Sequence, residues 1–189
     1  MDVYDFDNTI YRGDSTADFI LYCYLHRPKS LLSLPRTAVC GLLYVLRLMP
    51  KLTFKQNLYH MFVYIDDMES FVAQFIDSHT DHIKEWYNRQ QKDDDVVISA
   101  SPEFVIVPFC RKIGIRTAMA SRVDMHTGKY DGINCHGEEK VKRFYERFPE
   151  GTIDSFYSDS YSDTPLAKIA SKSYIVKGNK LRDWDFGKK

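Results

Sequence analysis

The spacing of apolar residues changes twice along the chain. A short apolar run, DVYDF at residues 2–6, is followed from residue 15 to 90 by stretches such as DFILYCYLH and MESFVAQFID, in which apolar residues recur three or four positions apart. That spacing predicts amphipathic helices, whereas the opening run predicts a strand. From residue 91 onward, short apolar runs alternate with helical patterns. The chain is therefore expected to form a sheet interrupted by a helical segment.

The C-terminal part has the alternation that is typical of parallel sheets. Strands are predicted at VVISA, RTAMAS, IDSFYS and SYIVKG, and helices at EFVIVPFCRKIG, GEEKVKRFYERF and TPLAKIASK. Short strands alternating with helices favour an α/β fold whose parallel sheet carries helices on both faces. We therefore expect a core formed by residues 1–14 and 91–189, with residues 15–90 inserted as a helical cap after the first strand.

Composition narrows the classes of protein that fit. The 189 residues are 44% hydrophobic and 28% charged, so the chain can bury a core. Lys plus Arg and Asp plus Glu each number 26, which leaves no basic excess to attract nucleic acid. The four cysteines are far apart, as is usual for reduced thiols, and no signal-peptide pattern precedes the first strand. These features predict a cytoplasmic protein without a nucleic-acid partner.

The longest apolar stretch, TAVCGLLYVLRLM at residues 37–49, allows two interpretations. It is shorter than the roughly 20 apolar residues that a membrane span needs, and Arg47 lies within it. We expect a buried or packing helix here. The alternative is a helix that lies on a membrane surface.

Carboxylates follow two of the predicted strands. Asp5 and Asp7 end the first strand, and they would point to the same side because strand side chains alternate. Asp159 and Asp163 follow the strand IDSFYS. Ligands of open parallel sheets bind beyond the carboxyl ends of the strands. Carboxylates that repel one another there are tolerated together when a hard divalent cation such as Mg²⁺ lies among them.

Two more groups fall at the same edge of the sheet. VVISA runs into Ser99, Ala100 and Ser101, where a helix is predicted to start, and the N-terminus of a helix binds anions such as phosphate. Lys140, at the start of KVKRF, supplies a cation. The edge is therefore expected to bind both a divalent cation and a phosphate group.

Taken together and in this order, these residues resemble the four motifs of the haloacid dehalogenase-like (HAD) superfamily. The stretch from Asp5 to Thr9 matches its DxDxT motif, Ser99 its second-motif Ser or Thr, Lys140 its third-motif Lys, and the stretch from Asp159 to Asp163 its acidic fourth motif. The match extends over residues 3–166. A helical insertion directly after the first motif resembles the phosphoserine-phosphatase-like branch, subfamily IB, within a Rossmannoid sheet.

The resemblance implies a Mg²⁺-dependent phosphatase. Asp5 would attack phosphorus and become an aspartyl phosphate, and Asp7 would protonate the leaving oxygen and then activate water. Mg²⁺ would be held by Asp5, the backbone carbonyl of Asp7, Asp159 and Asp163. The phosphate of a small-molecule or lipid-headgroup substrate would be bound by Ser99, Ala100, Ser101 and Lys140.

Substrate choice in this branch lies largely in the insertion. Asp14 falls where phosphoserine phosphatases carry an acidic recognition residue, and Arg12 is a further candidate for contact with an anionic substrate. Matching FKQNL to the cap segment of those enzymes puts Met61 where they carry an Arg for the substrate carboxylate. This difference disfavours phosphoserine. A less polar substrate, such as a lipid-headgroup phosphate, fits the apolar stretch near Leu42 to Leu48 better.

Three other interpretations stay open beside these. A phosphotransferase or phosphomutase would form the same aspartyl phosphate on Asp5 and pass the group to an alcohol or sugar. A catalytically silent binding module of the same fold would not need the acidic residues and the lysine that are all present. Finally, His79 and His82 are one helical turn apart, but no third ligand is placed by the sequence, so we expect a surface helix there.

Overall fold

The computed structural model describes residues 1–188 and has a six-stranded sheet at its centre. The strands are β1 (Asp2–Tyr4), β2 (Val96–Pro102), β3 (Thr117–Ser121), β4 (Ile153–Ser158), β5 (Ala170–Lys177) and β6 (Lys180–Asp183). Their order across the sheet is β3-β2-β1-β4-β5-β6, with β1 to β5 parallel and β6 antiparallel to β5. The chain passes from one side of β1 to the other, so β1 lies at the point where ligand crevices form in such sheets.

The helices fall into two groups. Between β1 and β2 lie α1 (Ser15–His26), α2 (Leu34–Val45), α3 (Lys51–Tyr59), α4 (Met68–Asp77) and α5 (Glu85–Asn88), with 3₁₀ helices at Pro28–Ser33, His60–Tyr64 and Thr80–His82. After β2 come α6 (Glu103–Lys112), α7 (Glu138–Arg147), a 3₁₀ helix at Tyr161–Asp163 and α8 (Thr164–Ala167). The α/β class and the helices between the first two strands are thus confirmed.

Hydrophobic clusters cover both faces of the sheet. Val3 belongs to a cluster that includes Phe144 of α7, whereas its neighbour Tyr4 belongs to a larger cluster that includes Phe109 of α6. This alternation follows from the opposite orientation of successive strand residues. The larger cluster also contains Phe19 of α1, so side chains of the helical insertion and of the sheet share one core. The division into a core and a cap at residues 14/15 and 90/91 therefore stays a prediction.

The C-terminal strands differ from the expectation. TPLAKIASK forms a helix only over Thr164–Ala167, because Ala170 already pairs with Ile153 in the sheet. Strand β6 was not predicted. It forms because Gly178 and Asn179 make a two-residue turn between the paired residues Lys177 and Lys180, a pattern that favours hairpins.

The apolar stretch near α2 forms the packing helix that was one of the two expected forms, but it is not buried. Val39, Leu42 and Val45 are 60%, 62% and 75% exposed. The reason is that α2 packs on α3 and on the 3₁₀ helix Pro28–Ser33 rather than on the sheet. Within residues 1–188, no helix combines the length and the apolar character that crossing a membrane requires.

Candidate active site

The carboxylate of Asp5 is held at the end of β1. Its backbone N–H donates to the carbonyl of Tyr157 at 2.8 Å, which carries the pairing with β4 one residue beyond the strand. The residue is 8% exposed. Its Oδ1 accepts from Lys140 Nζ at 2.7 Å and its Oδ2 from the hydroxyl of Thr9 at 3.4 Å. Burial raises the pKa of Asp5 to about 7, although the charge of Lys140 opposes this shift.

Lys140 bridges two carboxylates inside the protein. It lies in the first turn of α7, is 1% exposed and donates to Asp5 Oδ1 and Asp163 Oδ2, each at 2.7 Å. Burial acts to lower the pKa of Lys140, but the two carboxylates raise it overall. The hydroxyl of Ser158 also donates to Asp163 Oδ2, at 2.8 Å. Asp163 Oδ1 is buried and has no hydrogen-bond partner among the described residues.

Asp7 has different surroundings from Asp5. Its Oδ1 accepts from the backbone N–H of Ser15 at 2.6 Å, at the start of α1, and its Oδ2 accepts from the hydroxyl of Ser101. Burial, followed by the charge of Asp14, raises the pKa of Asp7. One carboxylate thus faces a lysine and the other faces neutral donors. Paired carboxylates in unlike environments can carry unlike roles in catalysis.

The predicted phosphate-binding segment lies where β2 runs into α6. Ala100 and Ser101 line the cavity that also contains Asp5 and Asp7. Ser99 is fully buried, and its Oγ accepts from the N–H of Ser101 at 3.1 Å. The structure therefore brings Ala100 and Ser101 to the cavity wall and keeps Ser99 directly behind it.

Asp159 reaches the same cavity from the end of β4. Its backbone N–H donates to Thr9 Oγ1 at 2.9 Å, and Lys177 Nζ donates to its backbone carbonyl at 2.6 Å. Burial raises the pKa of its half-buried side chain. Thr9 therefore joins the loops after β1 and β4, a function that the sequence analysis did not assign. The signal was present, because Thr9 is the last residue of the DxDxT match.

The oxygen atoms at this edge suit a hard cation. Among residues 1–188, no three His, Cys, Asp or Glu side chains already form a metal-binding group. Mg²⁺, however, takes only one or two carboxylates and fills its other positions with water and substrate phosphate. Asp5 and Asp159 supply carboxylates to one cavity from neighbouring strands, and Asp163 Oδ1 is an unpartnered oxygen beside them. This donor set fits Mg²⁺.

The cavity has a volume of about 390 Å³ and is roofed by the helical insertion. Its apolar wall is formed by Ile20, Tyr44, Phe54 and Leu58. Two cations of α3, Lys51 and Lys55, line it as well, and the sequence analysis missed both. Their spacing of four residues predicts that they share one face of a helix, but it does not predict that this face points into the cavity. Burial, and then the charge of Lys51, lowers the pKa of Lys55.

The three candidate specificity residues are placed differently. Asp14 lines the cavity and accepts from the N–H of Ala17 at 3.0 Å, so it also caps α1. Arg12 is exposed and lies in a neighbouring depression beside Asp159. Met61 is fully buried in the hydrophobic core and does not line the cavity, so its assignment to substrate contact was wrong. Residues 60–64 form a 3₁₀ helix, and Met61 is among the residues of that helix that are buried.

The histidine pair lies outside this site. His79 follows α4, and His82 ends the 3₁₀ helix Thr80–His82. Their rings are 5.1 Å apart and half-buried, and His82 lies beside Tyr11. They therefore belong to an aromatic cluster rather than to the exposed helix that we expected, and within the described chain they are part of no metal-binding group.

Comparisons with known proteins agree with this architecture. A histidinol-phosphatase from Neisseria meningitidis serogroup C (strain 8013) is 29% identical over 121 residues, which cover 56% of this chain and 54% of the relative. The chain spans about half or less of the length of the curated relatives that it matches. The solved structure of a protein with unknown function from Bordetella pertussis Tohama I gives a TM-score of 0.70 at 17% identity, covering 92% of this chain and 87% of that one.

The fold also resembles that of a phosphoserine phosphohydrolase-like protein from Francisella tularensis. That structure gives a TM-score of 0.51 at 16% identity and covers 92% of this chain and 86% of that chain. At such identities the likeness concerns the fold alone. The sequence itself matches a family model, haloacid dehalogenase-like hydrolase, over residues 3–168. Since this match includes most of the sequence and all four motifs, the chain belongs to the haloacid dehalogenase-like hydrolase family.

Proposed function

We propose that the chain is a Mg²⁺-dependent phosphomonoesterase that works through an aspartyl phosphate on Asp5. One observation carries the proposal: buried Lys140 joins Asp5 to Asp163 at the sheet edge where Asp7 and Asp159 line the same cavity. A cluster of carboxylates around a single lysine in the wall of a cavity is costly for stability, so it favours a catalytic role. The histidinol-phosphatase among the relatives supports a phosphatase.

The first half of the proposed reaction forms the covalent intermediate. A carboxylate oxygen of Asp5 attacks phosphorus, and the bond between phosphorus and the ester oxygen breaks. Asp7, whose raised pKa favours the protonated acid, gives its proton to that oxygen, and the alcohol leaves. Phosphomonoesters hydrolyse extremely slowly without a catalyst, so splitting the reaction into two displacements lowers a large barrier.

The second half regenerates the enzyme. Ionised Asp7 takes a proton from a water molecule, whose oxygen attacks the phosphorus of the aspartyl phosphate. The bond between phosphorus and the Asp5 oxygen breaks, which releases inorganic phosphate and restores both carboxyl groups. The hydrogen bonds of Asp7 to Ser15 and Ser101 hold its carboxylate in position for both proton transfers.

Charge at the phosphoryl group is balanced by this chain's own residues and by the metal. Asp5, the backbone carbonyl of Asp7 and Asp159 would hold Mg²⁺, with Asp163 beside them. When bound, the metal supplies positive charge that reduces repulsion between the nucleophile and the phosphate. Lys140 offsets part of the negative charge of Asp5 and Asp163 and would contact a phosphate oxygen, as preorganised electrostatic groups do. Ala100, Ser101 and Ser99 behind them offer N–H and hydroxyl donors.

The cavity supports a substrate with an apolar part and a second negative charge. Tyr44 and Phe54 stack at 4.9 Å between ring centroids and form part of the apolar wall. The side chain of Lys55 lines the same cavity and makes no hydrogen bond or ion pair within residues 1–188. An unpaired, half-buried ammonium group favours an anionic ligand. Phosphorylated small acids and lipid-headgroup phosphates are two substrate classes of this kind.

The test is phosphate release from a panel of substrates. The purified chain with Mg²⁺ is expected to hydrolyse at least one of phosphoserine, histidinol phosphate, a nucleotide, a sugar phosphate and a lipid phosphate, and EDTA is expected to stop the reaction. Asp5→Asn should abolish turnover, whereas Asp131→Asn, an exposed aspartate outside the cavity, should not change it. After an acid quench with substrate radiolabelled in the phosphoryl group, wild type should retain label on the protein and the Asp5→Asn variant should retain none.

Other outcomes identify other functions. Transfer of the phosphoryl group to an added alcohol or sugar in preference to water would identify a phosphotransferase. A folded protein that hydrolyses nothing, and whose melting temperature does not respond to beryllofluoride with Mg²⁺, would refute the proposal and identify a silent binding module.

A further inference from the structure

An apolar surface on the outside of the helical insertion plays no part in the proposed reaction. Ten large side chains within residues 21–48 are between 43% and 75% exposed. We call them the cap face: Leu21, Leu25, Leu31, Leu32, Leu34, Val39, Leu42, Val45, Leu46 and Leu48. Single exposed leucines are normal on a protein surface, but so many from adjoining elements indicate an interaction site.

Helix α2 forms the centre of the cap face. Val39, Leu42 and Leu46 recur at spacings of three and four residues, so they share one side of the helix. Tyr44 lies on the other side of α2, where it stacks on Phe54 and lines the catalytic cavity. The outward side of α2 is therefore apolar without packing on the sheet, while its inward side covers the cavity.

The charge around the cap face has a single sign. Residues 19–65 contain no Asp or Glu, although the whole chain has zero net charge. The same segment contains six basic residues, Arg27, Lys29, Arg36, Arg47, Lys51 and Lys55. Among residues 1–188, none of these six has a carboxylate within 4.0 Å, the limit of the ion pairs found elsewhere in the chain.

We propose that the cap face docks on the surface of an anionic phospholipid bilayer. The leucines and valines would enter the boundary between headgroups and acyl chains. The four basic residues that do not line the cavity, Arg27, Lys29, Arg36 and Arg47, would lie among the negatively charged headgroups. With 12 residues, α2 is too short to cross the bilayer and would lie along its surface. A second copy of the chain is a poorer partner, because face-to-face association would bring unpaired cations together.

The test is flotation of the full chain with phospholipid vesicles. The protein is expected to float with vesicles that contain phosphatidylglycerol and phosphatidylcholine, to bind weakly to phosphatidylcholine alone, and to dissociate as salt is raised. Equal binding to both kinds of vesicle, or no binding of the folded protein to either, would overturn the proposal. Light scattering that shows a dimer dissociated by cap-face substitutions, with no vesicle binding, would also overturn it.

Two sets of variants locate the contact. Leu42→Glu combined with Leu46→Glu should reduce vesicle binding by about tenfold or more, since it removes apolar contacts and adds repulsion. Ile133→Glu, at an equally exposed apolar position outside the cap face, is the matched control and should bind normally. Hydrolysis of a soluble phosphomonoester should be the same in all three proteins, which separates docking from the proposed catalytic function. Unchanged binding of the double variant would refute the assigned surface.

Discussion

Two aspartates that differ by only two positions are made chemically unlike by their contacts. Asp5 faces the ammonium group of Lys140, whereas Asp7 accepts hydrogen bonds from Ser15 and Ser101. Burial raises the pKa of both carboxyl groups, but only Asp5 has a cation beside it that lowers the pKa again. The two carboxyl groups therefore have unlike surroundings although they are only two residues apart, and unlike surroundings allow paired carboxylates to take unlike roles.

At the scale of single residues, Lys55 provides a test of substrate choice. Lys55→Met should raise the KM for phosphoserine, which carries a second anion, by about tenfold or more, because a charge-assisted contact is lost. The KM for phenyl phosphate, which carries none, should stay nearly constant. Since burial lowers the pKa of Lys55, the wild-type preference for the doubly anionic substrate should weaken with rising pH before an ordinary lysine would lose its proton. Steady-state kinetics over a pH series measure both effects.

The control for that experiment is Lys172→Met, which removes an exposed lysine on β5, away from the cavity. It should leave both KM values unchanged. An equal rise for the two substrates in the Lys55 variant would mean that Lys55 contacts the phosphate itself, which contradicts a subsite for a second anion.

The cavity residues at the strand ends could be predicted from the sequence, but the cavity residues that the helical insertion contributes could not. Asp5, Asp7 and Asp159 line one cavity, as expected, because parallel strands bring their carboxyl ends to one edge. Met61 was misplaced because a single-sequence alignment cannot reveal that residues 60–64 form a 3₁₀ helix that buries its side chain. Lys55 was missed because the direction that α3 faces depends on tertiary packing. Whether these residues bind substrate and metal stays a prediction.

At the scale of elements, the turn after β3 connects the sheet to the helical insertion. Val123 pairs with Tyr130, and the N–H of Gly128 donates to the carbonyl of Asp124 at 2.8 Å. The rings of Tyr59 and Tyr130 stack with centroids 6.1 Å apart. A Cβ on Gly128 would lie 2.4 Å from the Tyr59 carbonyl oxygen, so the turn and the end of α3 are in direct contact.

Replacing that glycine should loosen the contact. Gly128→Ala places a side chain at a φ of +70° and against the backbone of Tyr59, and we expect a loss of about 2–3 kcal/mol in the free energy of unfolding. Gly132→Ala is the matched control, because Gly132 has a φ of +94° but nothing within 4 Å of the added Cβ. It should cost only the backbone strain, about 1 kcal/mol. Urea unfolding measures both, and equal losses would show that the contact with Tyr59 contributes nothing.

The central strands and the helices that follow them could be predicted more fully than the C-terminal segment and α2. The strand VVISA and the helix GEEKVKRFYERF were predicted because their apolar residues follow one period and face one core. Two predictions were met only in part, for identifiable reasons. The helix at TPLAKIASK was cut short by pairing of Ala170 in the sheet, a nonlocal contact. Helix α2 packs on α3 as one of the two expected forms, but it is not buried, because apolar character alone does not reveal which element covers a helix.

At the scale of the whole molecule, zero net charge conceals an uneven distribution. Residues 19–65 carry only basic charges, so the remainder of the chain has a matching acidic excess. Part of that excess is buried at the sheet edge as Asp5 and Asp163, where Lys140 is the cation within hydrogen-bond distance of both. In the absence of metal, the folded state therefore holds carboxylates that would be better solvated in the unfolded chain.

The stability of the metal-free protein should consequently fall as pH rises. The pKa of Asp5 is raised by burial from its ordinary 3.8 to about 7, so the folded state binds a proton more tightly than the unfolded state. This contribution is fully present below the ordinary pKa and is lost as pH rises through about 7. In EDTA, the unfolding free energy of wild type should fall between pH 5 and pH 8 by on the order of 2–4 kcal/mol more than that of Asp5→Asn. The reason is that the asparagine side chain of the variant does not ionise. Urea unfolding of wild type, Asp5→Asn and the exposed control Asp131→Asn measures the difference.

Mg²⁺ at pH 8 should restore the stability of wild type more than that of Asp5→Asn, because it binds the ionised carboxylates of the folded state. Parallel pH curves for wild type and Asp5→Asn would contradict the raised pKa of Asp5 and its place in the proposed metal site.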